Sequence, residues 1–187
     1  MDERGFLQYT REVHIHTDRA AFTPDILTPH LDHFRSFDQV HSLTIEFYDS
    51  DLWLNHHISS FVHFYPTLTS LTLHSPLNHY RCVLQFALQF PHLDSLCIDH
   101  LENEYLIQPD LMIPNIVDNS PLLRGHLRVM GHWPVEFAYE LPNGIHFRSV
   151  EWQDVAWNQV QYILNACAGT LESLIIMPRR AGTQQIY

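Results

Sequence analysis

Three residues with the side chains of a nucleophilic site fall in two similar segments of the chain. Cys97 and Asp99 stand two positions apart, and His74 stands in the preceding segment. A cysteine becomes a nucleophile when a nearby base lowers the pKa of its thiol, and neighbouring strands about 4.8 Å apart would bring His74 close. Alternate positions on an open sheet, however, supply neither an oxyanion pocket nor exclusion of water. We therefore expect no catalytic residues and no enzyme activity.

Histidine is the other residue type that suggests a chemical site. His14 and His16 are two positions apart and would point to one face of a strand, with Glu46 in the next similar segment. Such a pair binds zinc when a third ligand is fixed nearby. No third ligand has a recognisable spacing, either here or beside His56 and His57. The pattern is more typical of solvated histidines, so we expect no metal and no cofactor.

The composition excludes several classes of partner. The 187 residues carry a net charge of −11, and the ten basic residues, all arginine, are scattered. Such a chain repels a phosphate backbone, so we expect no nucleic-acid partner. No apolar run approaches the roughly 18 residues of a membrane helix, and the first residues do not resemble a signal peptide. We expect no membrane partner and an intracellular location, cytoplasmic or nuclear.

An internal repeat indicates which elements position these residues. The segment YPTLTSLTLHSP at 65–76 recurs as FPHLDSLCIDHL at 90–101 and as GTLESLIIMP at 169–178. They share the spacing Leu-x-x-Leu-x-Leu, with other apolar residues in some positions, and further copies follow all or part of it. The middle positions are 23 to 31 residues apart, close to the length of a leucine-rich repeat; they are Val13, Leu43, Leu71, Leu96, Leu127, Val150 and Leu174.

The hydrophobic period changes within each repeat. Leucines at alternate positions predict a strand with one buried face, and apolar residues three and four apart in 52–64, 80–88 and 160–167 predict helices. Helical crossovers join parallel strands with right-handed connections. We predict an α/β fold, a leucine-rich-repeat solenoid: a right-handed βα superhelix with a curved parallel sheet of about seven short strands and helices on the convex side. We expect residues 1–187 to form a single domain that is incomplete at one or both ends, with strands near 13–15, 43–45, 71–73, 96–98, 127–129, 150–152 and 174–176.

Two details of the repeat are informative. The prolines Pro66, Pro91 and Pro121 stand two residues before an apolar residue, which predicts a turn from helix to strand. Leu123 lies one residue farther upstream than the spacing requires, and Gly169 is in the position to close the last helix.

Strand alternation assigns one set of residues to the concave face of the sheet. If the leucine positions point inward, their neighbours point outward and form rows across the strands. These rows are polar and mixed, as in a shallow protein-binding groove, although a merely solvated sheet would share much of this character. The predicted binding residues are Thr44, Glu46, Thr72, His74, Cys97, Asp99, Arg128, Met130, Glu151 and Gln153.

The repeat resembles the leucine-rich-repeat region of fungal F-box proteins. The similar segments are FRSFDQVHSLTIEF, FPHLDSLCIDHL, FRSVEWQDVAW and LNACAGTLESLII. In that family an F-box binds the Skp-type adaptor of a cullin ubiquitin ligase, and the repeats hold the protein to be ubiquitinated. No F-box is recognisable here, so we expect adaptor binding only if an F-box exists outside this chain. The asparagine that many leucine-rich repeats place after the strand is replaced, by Tyr48, Pro76, Leu101, Val155 and Arg179.

The resemblance implies a non-catalytic protein–protein interaction module that forms the substrate-recognition repeats of an F-box-type ubiquitin ligase receptor. The alternative is a free-standing leucine-rich-repeat scaffold or inhibitor unrelated to ubiquitin. The absence of lysine fits a receptor that avoids its own ubiquitination, but it also fits a simple compositional bias.

Overall fold

The computed structural model describes residues 10–16, 39–46, 65–74, 86–101, 122–131, 145–155 and 157–178. Their strands form one parallel sheet in which the spatial order equals the order in the sequence. The strands are β1 Glu12–His16, β2 Ser42–Glu46, β3 Ser70–His74, β4 Ser95–Leu101, β5 Leu123–Gly131, β6 Ile145–Val155 and β7 Ser173–Pro178, and helix α1 spans Trp157–Ala166. Residues 86–88, the described part of the helix predicted at 80–88, are also helical. The predicted parallel sheet of about seven strands is confirmed, and each predicted strand segment lies inside one of these strands.

The repeat positions coincide with the register of the sheet. Leu43 lies opposite Leu71, and Leu71 lies opposite Leu96. The same row continues through Leu127, Val150 and Leu174 on the last three strands. Because every repeat starts its pairing at the equivalent residue, side chains of equal position form continuous rows on both faces of the sheet.

The apolar rows form the core on one face of the sheet. The strand residues that occupy the leucine positions of β2 to β6 are at most 1% exposed. They include Trp152 of β6, which is 0% exposed. Val160, Ile163 and Cys167, from α1 and the residue after it, join the same buried cluster. These residues were expected to face inward, and the structure confirms this.

Among the described residues, no helix is long and apolar enough to cross a membrane.

Proline turns lead into two of the strands. The amide of Leu68 donates to the carbonyl of Tyr65, and the amide of Leu93 donates to that of Phe90, both at 3.2 Å. Each bond closes a four-residue turn with Pro66 or Pro91 in its second position, where the fixed φ of proline fits. Tyr65 and Phe90, which begin the turns, are buried. Pro121 lies outside the described residues, as do the helical pattern at 52–64 and His56 and His57.

Hydrogen bonds join successive repeats just before the strands. The carbonyl of His41 accepts from the amides of Thr69 at 3.0 Å and Ser70 at 2.9 Å. The carbonyl of Thr69 in turn accepts from the amides of Asp94 and Ser95. The hydroxyl of Thr69 adds a bond of 3.2 Å to the His41 carbonyl. Each repeat therefore satisfies backbone groups of its neighbour, as stacked units require.

The sheet is regular from β1 to β4 and irregular beyond it. Register shifts occur at Asp99/Leu101 in β4, at Gly125/His126 in β5 and at Gln153/Val155 in β6. At the second of these, Gly125 has a φ of 88°, and a Cβ there would lie 2.8 Å from the carbonyl carbon of Asp94 and closer still to its carbonyl oxygen. This irregularity explains the displaced leucine of the fifth repeat, because Leu123 pairs with Ile145 and is 3% exposed.

Two sequence expectations differ from the structure in detail. Strand β6 covers 11 residues, whereas the repeat pattern predicted a strand near 150–152. The strand begins earlier, where Ile145 and Phe147 are also buried on its inner side. Helix α1 ends at Ala166, and Gly169 lies in the turn that follows without a positive φ. Gly169 therefore lies three residues beyond the end of the helix that it was expected to close.

Candidate functional site

The face of the sheet opposite the core, termed the exposed face, carries the candidate site. It consists of the strand residues that alternate with the buried ones. All ten residues predicted to form a binding groove lie on this face, and each is half-buried. They occupy two adjacent rows, of which one contains Thr44, Thr72, Cys97, Arg128 and Glu151, and the other Glu46, His74, Asp99, Met130 and Gln153.

Histidines and carboxylates alternate across the first four strands of the exposed face. Nδ1 of His16 lies 2.8 Å from Oε2 of Glu46, and Nδ1 of His74 lies 2.9 Å from Oδ2 of Asp99. Glu46 is also directly opposite His74 in the register. The row from β1 to β4 is therefore His, Glu, His and Asp, in which His16 contacts Glu46 and His74 contacts Asp99. His16 was absent from the predicted groove, although its position in the register would have placed it there.

A second polar group lies farther along the sheet. Nε of Arg128 is 3.4 Å from Oε1 of Glu151. The same oxygen accepts a hydrogen bond of 3.2 Å from Nε2 of Gln153. The carboxylate of Glu151 is thus contacted from two sides, by an ion pair with Arg128 and a hydrogen bond from Gln153.

The structure separates the residues considered for nucleophilic chemistry. Cys97 lies opposite Thr72 and Arg128 in the register, whereas His74 is paired with Asp99. Burial raises the pKa of the Cys97 thiol; Arg128 lowers it, and the carboxylates of Asp99 and Glu151 raise it further. The net shift is upward, so the thiol stays protonated at neutral pH, whereas a nucleophilic cysteine needs a lowered pKa.

The residues considered for metal binding are only partly brought together. His16 contacts Glu46, and His14 stands exposed two residues earlier on the same strand. Within the described parts of the chain, no group of three or more histidine, cysteine or acidic residues has a geometry that could hold a metal ion. The contact is that of an ion pair or hydrogen bond between exposed side chains, which contributes little to stability.

The last strand gives the exposed face a different character at its far end. Ile175 is 48% exposed and Met177 is 42% exposed, and both point outward. They continue the two rows that contain Thr44 and Glu46. Sequence reasoning placed them on this face but did not select them, although two apolar residues in outward positions were a usable signal. The exposed face therefore changes from charged to apolar between β1 and β7.

Comparisons of the chain with protein-family models, curated proteins and solved structures found no match.

Proposed function

We propose that this chain is a leucine-rich-repeat solenoid that binds another protein through the exposed face of its sheet. The observation that carries the proposal is the parallel order of seven strands, in which equivalent residues of the sequence pattern pair from strand to strand. Stacking of this kind produces a continuous surface whose variable residues are displayed in rows. The ten predicted groove residues occupy such rows.

The position of the helix supports the solenoid. Helix α1 connects β6 to β7, and its residues Val160 and Ile163 pack into the cluster that also contains the strand leucines. Its packing side is therefore the inner side of the sheet, which leaves the outward rows uncovered by α1. A right-handed connection between parallel strands is the general rule for such crossovers. Helices on one side and an open sheet on the other are the arrangement of a leucine-rich repeat.

The chemistry of the exposed face supports protein binding over catalysis. Its groups are spread over neighbouring strands, and the paired side chains, such as His74 with Asp99, stabilise one another. The thiol of Cys97 has a raised pKa and so lacks the activation of a nucleophile. Mixed polar contacts at one end and apolar contacts at the other suit a protein surface, which combines both.

The bound protein, in this proposal, is a target of an F-box-type ubiquitin ligase, and the chain supplies the substrate-recognition repeats. The segments similar to fungal F-box proteins and the absence of lysine support this assignment, since a chain without lysine offers no side-chain amine to ubiquitin. The second candidate is a free-standing repeat scaffold or inhibitor. The lack of any family match favours neither.

Affinity capture with single-residue variants tests the binding face. Thr72 lies on β3, near the middle of the polar half of the face, and Thr72→Arg adds a long charged side chain there. The matched control is Gln161→Arg, on the exposed side of α1. We expect proteins captured by the unmodified chain, identified by mass spectrometry, to be lost with Thr72→Arg and retained with Gln161→Arg. Retention by Thr72→Arg together with loss by Gln161→Arg would move the binding surface to the helices.

Adaptor binding separates the two candidates. The complete product of the gene is expressed with a Skp-type adaptor, and co-purification in stoichiometric amount is expected for a ubiquitin ligase receptor. A product that captures the same target proteins but no adaptor is a free-standing scaffold or inhibitor. The two experiments are independent, because the first tests the surface and the second tests the pathway.

A further inference from the structure

Three of the four arginines that the structure describes lie together on two neighbouring strands of the exposed face. On β5, Arg124, His126 and Arg128 occupy successive outward positions and alternate with residues of the inward side. On β6, His146 lies opposite Arg124 in the register, and Arg148 follows two residues later. Arg124 and Arg148 are exposed, and the other three residues are half-buried. We term these five residues the basic cluster.

A bulge in β6 adds Arg148 to this cluster. The pairing with β5 passes from Phe147 directly to Ser149, so that Arg148, between them, has no partner in the ladder of β5. A bulge of this kind leaves one residue unpaired and re-aims its side chain. The carbonyl of Arg148 accepts a hydrogen bond of 2.7 Å from the amide of Glu172, which fixes the backbone at this point. The bulge therefore inserts an exposed arginine between the outward residues His146 and Ser149.

Arg124 and Arg148 form no ion pair with a carboxylate among the described residues. Two acidic residues flank them all the same: Asp94 precedes β4 with its Oδ1 beside Gly125, and Glu172 precedes β7. A guanidinium presents N–H donors in a planar fork that fits a carboxylate with two parallel bonds. Two exposed arginines therefore offer binding sites for carboxylates of another molecule.

Charge divides the exposed face into two parts. The outward positions of β1 to β4 contain no arginine but three acidic residues, which are Glu12, Glu46 and Asp99. On β5 and β6 the three arginines outnumber the acidic residues, which are Glu151 and Asp154. The basic cluster is therefore a region of opposite charge in a chain whose net charge is −11.

We propose that the basic cluster binds an acidic segment of the partner protein, one that carries aspartate or glutamate side chains. The inference rests on the proposed function and specifies the kind of segment that the exposed face binds. The guanidinium groups of Arg124 and Arg148 donate to carboxylates of the segment. A segment shifted towards β1 to β4 would meet Glu46 and Asp99, and like charges disfavour that position. Because β5 and β6 lie between β4 and β7, the site does not depend on what lies beyond either end of the sheet.

Binding of a model peptide tests the site. The probe is a fluorescent peptide of about ten residues that alternates glutamate with serine, since alternate residues of an extended chain share one side. The reference peptide has glutamine in place of glutamate. Anisotropy is measured with the full chain at an ionic strength of about 0.1 M, where the Debye length of about 10 Å screens distant acidic residues. We expect saturable binding of the glutamate peptide below about 1 mM and no binding of the glutamine peptide.

Charge reversal locates the site. Arg148→Glu and Arg124→Glu are each expected to weaken binding of the glutamate peptide at least about tenfold, and Arg148→Gln is expected to weaken it less. The matched control is Arg11→Glu, because Arg11 is exposed and occupies the equivalent position before β1, where its carbonyl accepts from the amide of Ser42 at 3.1 Å. It changes the net charge equally but is expected to alter the affinity less than about twofold, since its charge is screened from the cluster.

Three results of the peptide measurements overturn the proposal: equal weakening by Arg11→Glu and Arg148→Glu, equal binding of the two peptides, and no binding of the glutamate peptide up to about 1 mM. Affinity capture separates this failure from a failure of the proposed function. Captured proteins that are lost with Thr72→Arg but retained with Arg148→Glu overturn the acidic segment and leave the exposed face as the binding surface. Captured proteins that Thr72→Arg retains contradict the proposed function itself.

Discussion

Substitution of Gly125 by alanine gives the sharpest test of the described register. Gly125 lies in β5 beside the backbone of Asp94, with a φ of 88°. An alanine Cβ would lie 2.8 Å from the carbonyl carbon of Asp94 and nearer still to its carbonyl oxygen and Oδ1. Both the conformation and the space therefore require glycine at this position.

The magnitude follows from two contributions. A residue with a side chain held in a left-handed conformation costs about 1–3 kcal/mol. The Cβ also displaces the carbonyl of Asp94, which accepts a hydrogen bond of 2.7 Å from the amide of His126, and losing that bond removes about 1 kcal/mol. We expect Gly125→Ala to lower the free energy of unfolding by about 2–4 kcal/mol and the Tm by about 5–15 °C.

The assay is urea unfolding followed by circular dichroism, with Gly169→Ala as the matched control. A Cβ at Gly169 meets nothing within 4 Å, and its φ is not positive. Alanine there reduces the entropy of the unfolded chain, so stability is expected to stay equal or rise by about 0.4–1 kcal/mol. Equal midpoints for Gly125→Ala and the unmodified chain would refute the close approach of β5 to Asp94, and with it the irregular register of the fifth repeat.

Two further outcomes are expected. Trp152→Phe keeps most of a fully buried side chain but removes the indole N–H that donates to the carbonyl of Gly131 at 3.1 Å; we expect a loss of about 1–3 kcal/mol in urea unfolding, and unchanged stability would show that the bond contributes nothing. Alkylation of Cys97 by iodoacetamide at pH 7, followed by peptide mass spectrometry, is expected to be slower than that of a free cysteine peptide and to accelerate only at alkaline pH, because burial raises the pKa of this thiol. Faster labelling at pH 7 would indicate an activated thiolate instead.

The sheet could be predicted from the sequence because one local pattern determines several levels of structure. The spacing of Leu68, Leu71 and Leu73 defines a strand, its buried side and its alignment with the next repeat at once. Two outward rows followed directly from alternation once the leucines were assigned. The burial of Trp152 follows from its place in a leucine position of the pattern.

Other features depend on contacts between repeats and leave little trace in one repeat. The positive φ of Gly125 is required by the backbone of Asp94, about 30 residues away in sequence. His74 pairs with Asp99 and not with Cys97 because the register between β3 and β4 sets His74 opposite Asp99 and leaves Cys97 one row away. The extension of β6 to Ile145 depends on pairing with Leu123, which the repeat pattern alone left misaligned.

The shifts of register lie beside the outward rows of the exposed face. The three strand pairs from β1 to β4 have no shift of register, whereas each of the three later pairs contains a bulge or irregularity. A bulge bends its strand and increases the local twist. The irregular pairs flank the two outward rows, which pair without interruption from β2 to β7. The bends therefore fall beside these rows and not across them, so a straight molecule that lies along either row meets no bulge.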